Sequence, residues 1–82
     1  MEQKNYEKGT KSPIIQEIIM SNRIGAISII IAKMLNIDNV RALKIFYASN
    51  TCARLHDKTT GLYLQGDMYV VDDFMREMEE KQ

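Results

Sequence analysis

Nine isoleucines fall between residues 14 and 31, and this stretch sets most of what the chain can become. Isoleucine is apolar and branched at Cβ, so such a density calls for burial against something. The spacing indicates how. From Met20, the positions Ile24, Ile27, Ile31 and Met34 follow at steps of four, three, four and three. That is the period of one helix face. Ile14 and Ile18 extend the stripe backward, and Ile30 and Leu35 widen it. Ile15, Ile19 and Ile29 fall outside it. The helix therefore carries more apolar surface than one side presents to a small core. Either the remaining helices cover the surplus, or it marks a protein–protein contact.

The rest of the chain has helix and turn signals. Ser12-Pro13 is a helix start, and the stripe predicts a helix over 12–36, as one rod or two collinear pieces. Ser21-Asn22-Arg23 is the expected break, and Gly25 adds a helix penalty of about 1 kcal/mol. Asp38 is the expected N-cap of a helix over 38–48, with Val40, Leu43, Phe46 and Tyr47 at helical spacing. Ser49-Asn50-Thr51 opens a short helix over 50–57. Lys58 to Gly61 is turn chemistry, with glycine free to take positive φ. Leu62-Tyr63-Leu64 is expected to lie extended, with Leu62 and Leu64 inward. Asp67 is the expected N-cap of a last helix over 67–80, with Val70, Val71, Phe74, Met75 and Met78 inward. Asp72, Asp73, Glu77, Glu79 and Glu80 are expected on its solvated face. The fold class is therefore all-α: a small bundle of about four helices.

Composition narrows the function classes. The 82 residues fit one domain over 12–82, preceded by a polar, mobile tail over 1–11. The tail has no apolar stretch of the signal-peptide kind. The run Ile24 to Ile37 spans 14 residues and contains Lys33. It is short of the roughly 20 apolar residues of a membrane span, so no membrane partner is expected. Eleven basic and eleven acidic side chains cancel, which leaves no long-range field to gather nucleic acid. The balance is global but not local. Residues 1–41 hold six basic and four acidic groups, and residues 42–82 hold five and seven. A single Cys precludes an intrachain disulfide and suits a reducing compartment, the cytoplasm.

Candidate chemistry is sparse. Cys52 and His56 lie four apart and share one helix face, the minimum for a His-activated thiolate. A buried Cys beside a helix-terminal His is the plainer account. Two ligands cannot close a metal site, and Asp67, Asp72 and Asp73 lack the alternation of a calcium loop. No phosphate-binding, dinucleotide or zinc-protease motif occurs, so no enzyme activity and no cofactor is expected. Arg41, Lys44 and Arg54 could contact phosphates if the segment from Lys33 to Asp57 acts as a helix–turn–helix.

The segment from Ala42 to Met78 carries a recurring order of residues. An apolar helix ends in Phe46-Tyr47 and Ser49. A short helix leads to Asp57, then Thr60-Gly61-Leu62-Tyr63-Leu64, then Tyr69, Val71-Asp72 and Phe74. In this order, and in the character of the preceding helix, residues 24–78 resemble the short prokaryotic proteins catalogued as domain of unknown function 3791. The resemblance implies an accessory protein, since members are often encoded beside proteins that look like ADP-ribosyltransferases. It implies an antitoxin-like or regulatory partner of such a protein.

The expected function is thus a non-enzymatic protein–protein interaction module in the cytoplasm. Ile19, Ile29, Tyr63 and Tyr69 are its expected contact residues. The partner is a protein, the product of an adjacent gene or a second copy joined through the Ile-rich helix. The alternative is a small DNA-binding transcriptional regulator using Arg41, Lys44 and Arg54.

Overall fold

A computed structural model describes residues 13–81, and within them the chain is all-α. The helices are α1 (Pro13–Leu35), α2 (Asn39–Tyr47), α3 (Asn50–His56) and α4 (Asp67–Glu80). Two 3₁₀ turns, Lys58–Thr60 and Leu62–Leu64, link α3 to α4. The tail expected over 1–11 and the cap expected at Ser12 lie outside the described residues.

α1 is one unbroken rod of 23 residues, so the break expected near Ser21-Asn22-Arg23 does not occur. It stops at Asn36, which takes φ 58°, a left-handed conformation that Asn tolerates better than most residues. The Ile37 N–H then reaches back to the Ala32 carbonyl at 3.0 Å, closing a Schellman-type end. Continuity lengthens the apolar segment beyond the 14-residue run read from the sequence. By length and composition alone α1 could cross a membrane, with a mean hydropathy of 1.6 over 18 residues. Its second half packs as a core element: Ile24, Ile27, Ser28, Ile31 and Ala32 are buried.

The core gathers on that half. Ala42 and Phe46 come from α2, Cys52 and Leu55 from α3, Leu62 from the second 3₁₀ turn, and Val70, Val71 and Phe74 from α4. Phe46 and Phe74 meet at 5.6 Å between ring centroids, tilted by 58°. Such pairs add about 0.5–1.5 kcal/mol to the burial of the two rings. The helix starts follow local chemistry. Asp38 accepts from the Arg41 N–H at 2.7 Å, and Ser49 accepts from the Cys52 N–H at 3.0 Å. Gly61 turns the chain at φ 74°.

Several expected positions are corrected. Ile14, Ile18 and Met34 are exposed, because the other helices flank only the C-terminal half of α1 and only one side of it. Val40 and Tyr47 are exposed for a similar reason, since α2 turns only Ala42 and Phe46 fully inward. Leu62-Tyr63-Leu64 is a helical turn, not an extended segment, so Leu62 is buried while Leu64 is 72% exposed. Gly66, not Asp67, is the cap residue of α4, and it provides no side-chain bond. Glu77 belongs to the buried face of α4.

Candidate interaction surface

Two charges, the partly buried Arg23 and the buried Glu77, position the surface, and neither was expected to from the sequence. Arg23 lies on α1 beside the turn that precedes α4. Its Nε donates to Asp67 Oδ1 at 2.7 Å, and Nη1 donates to the Tyr63 carbonyl at 2.7 Å. Nη2 donates to the Gln65 carbonyl. One planar guanidinium thus fixes the chain between Tyr63 and Asp67, which a flexible point charge such as Lys could not do.

Glu77 performs a similar task for α3. Its Oε2 accepts from the Asn50 N–H at 2.8 Å, and Oε1 accepts from the Thr51 N–H at 2.8 Å and the Thr51 hydroxyl at 2.7 Å. The carboxylate thereby serves backbone donors that the start of α3 would otherwise leave open. Lys81 Nζ adds an ion pair at 3.0 Å. Burial pushes the Glu77 carboxyl up. The bonds from Thr51, Asn50 and Lys81 outweigh it and bring the group from 4.5 to about 2. The sequence signal was the position of Glu77, three after Phe74 and seven after Val70, on the inward stripe. Its charge argued the other way.

With these clamps in place, three of the four expected contact residues separate into two grooves. Ile19 and Tyr63 line one groove of ≈ 230 Å³ between α1 and the 3₁₀ turns, together with Met20 and Arg23. Lys58 closes its edge through a 3.1 Å bond to Gln16 Oε1. Ile29 lines a second groove of ≈ 230 Å³ between α1 and α2, with Gly25, Leu43 and Val40. Tyr69 is exposed on α4. All four expected residues therefore reach solvent, but no single pocket unites them. Val40, 63% exposed beside Ile29, was assigned inward by its spacing and belongs instead to this surface.

The other candidates fare differently. Arg41 and Lys44 share an exposed side of α2 with Asp38. Arg54 turns away to Asp73 at 3.3 Å and Thr51 Oγ1 at 3.4 Å, so the three cations form no common patch. Cys52 is buried, and burial pushes its thiol up, away from the thiolate. His56 Nδ1 lies 2.9 Å from the Cys52 carbonyl and 3.7 Å from its Sγ, so the ring is engaged with the backbone first. Among the described residues, no three of His, Cys, Asp and Glu stand close enough to hold a metal ion.

No family model, no curated protein and no solved structure matches this chain.

Proposed function

We propose that the chain is a non-enzymatic protein–protein interaction module of the cytoplasm. It docks a protein partner at the Ile19–Tyr63 groove, with Tyr69, exposed on α4, as a further contact residue. One observation carries the reading: Ile19 stays 58% exposed beside a Tyr63 whose backbone is pinned by the partly buried Arg23. A rigid aromatic next to an open apolar side chain is the composition of an interface core. The resemblance to domain of unknown function 3791 gives the finer form, an antitoxin-like or regulatory partner of an ADP-ribosyltransferase-like protein encoded next to it.

The test is co-expression with the product of the adjacent gene. Co-elution at micromolar concentration supports the reading. Ile19→Asp and Tyr63→Ala should each weaken it at least tenfold, the effect of losing about 1.4 kcal/mol at an anchor. Two separate peaks with wild-type protein would overturn it. The regulator alternative is the lesser reading, because Arg54 is engaged with Asp73.

A further inference from the structure

A second apolar surface lies apart from the Ile19–Tyr63 groove. Ile15, Ile18, Asn22, Gly25 and Ile29 recur at steps of three, four, three and four along α1. At about 100° per residue this line runs along the side of α1 away from the buried Ile24, Ile27 and Ile31. An average step of 3.5 is the spacing of a helix-pairing seam. Ile15, Ile18 and Ile29 on it are exposed.

We infer that two copies of this chain pair antiparallel along this seam, with Ile18 of each copy seated in the Gly25–Ile29–Val40 groove of the other. Three features select a second copy as occupant. The first is charge: the five seam residues carry none, and Lys33, on the same side one turn past Ile29, falls opposite the exposed Ile14 of the second copy, which its apolar stem can cover. Antiparallel pairing also sets the positive end of each helix dipole beside the negative end of the other.

The second is fit. When a twofold axis places Ile18 opposite Ile29, it also places Asn22 opposite Gly25. Both pairs face toward the side on which α2 lies. Nothing stands within 4 Å of where a Cβ on Gly25 would sit, so no neighbour in its own chain needs that space. Glycine in mid-helix is unfavourable, and here it opens the groove floor to a second molecule.

The third is area. The N-terminal half of α1, with Ile14, Ile15, Ile18 and Ile19 all exposed, contributes little to its own core. In the pair it lies in the angle between α1 and α2 of the second copy and covers Val40. A rod about 35 Å long and 10–12 Å wide, with the α2 flank, buries roughly 800–1,200 Å² over both copies. That is the size of a weak, reversible interface, so monomer and dimer should exchange in the micromolar range. The same patch on both partners makes the contact isologous and closed at two.

Sedimentation velocity on the full chain tests this across the micromolar range. The wild type should show a concentration-dependent dimer. I18E and I29K, each with unchanged far-UV circular dichroism, should each weaken it at least tenfold. The combined variant I18E/I29K sets opposite charges across both ends of the seam and should restore it. A wild type that stays monomeric overturns the inference. So does a dimer indifferent to I18E, or one that the combined variant fails to restore, since parallel pairing would place like charges together. A monomer that floats with phosphatidylcholine–phosphatidylglycerol vesicles would assign the seam to a membrane surface and also overturn it. These variants leave Ile19, Tyr63 and Tyr69 intact, so binding to a heterologous partner stands or falls separately.

Discussion

Glu77 of α4 caps α3 from outside, its Oε1 taking both the backbone N–H and the hydroxyl of Thr51, at 2.8 and 2.7 Å. A capping side chain ordinarily precedes the helix it serves by a few residues. Here it comes from 26 residues away, so one carboxylate closes a helix end and fixes two helices together.

Removing that carboxylate should be the most damaging polar substitution in the chain. Glu77→Ala leaves the Asn50 and Thr51 donors without their acceptor inside a packed contact. The expected loss is about 2–4 kcal/mol in urea denaturation. Glu77→Gln keeps the shape and one acceptor oxygen and should lose about half as much.

The same group sets an acid limit. Its folded value lies near 2 against an ordinary 4.5. A depressed carboxyl stabilises fully above its unfolded value and loses that contribution as pH falls through the folded one. Stability should therefore decline between about pH 4.5 and pH 2 by up to ~3 kcal/mol from this residue. Denaturation midpoints measured against pH should flatten in Glu77→Gln. Asp57, also held low by Thr59, is exposed and acts alike in both proteins.

Arg23 should govern the segment from Tyr63 to Asp67. Arg23→Ala removes three hydrogen bonds, one of them to a carboxylate, and should destabilise by about 1–3 kcal/mol. Arg23→Lys should recover little, because a single ammonium cannot span Asp67 and two carbonyls. Hydrogen exchange should speed up around the second 3₁₀ turn and the first turn of α4, and far less in α2.

Cys52 should resist thiol reagents at neutral pH until the chain unfolds. It is buried, its thiol is pushed up, and its hydroxyl-capped helix start encloses it. A labelling rate that tracks urea unfolding is the expected result. Fast labelling of the native protein would revive a nucleophilic role.

Much of this architecture was legible in the residues. The four helices follow from apolar spacing and from Asp38, Ser49 and Gly61, whose roles are local and need no tertiary context. What was illegible depends on long-range partners. Ser21-Asn22-Arg23 looks like a break because its side chains are polar. Arg23 is there to meet Asp67, 44 residues on. Glu77 looks solvated because it is charged, and only the start of α3 packed against it reverses that. For the surface, Ile19 and Ile29 stand out as apolar surplus beyond what a small core absorbs, and Tyr63 and Tyr69 as aromatics whose polar tip suits an interface. The separation of Ile19 and Tyr63 from Ile29 into two grooves needed α2 and the 3₁₀ turns in place.

The N-terminal turns of α1 reach out while the core sits at the other end of the same rod. Mutations at Ile14, Ile15, Ile18 or Ile19 are therefore nearly invisible to folding, and selection can act on them for affinity alone. Under the proposed docking role, such a chain can change allegiance from one binding partner to another by drift along a single exposed edge. Its Phe46–Phe74 centre stays untouched, and specificity evolves without a stability threshold in the way.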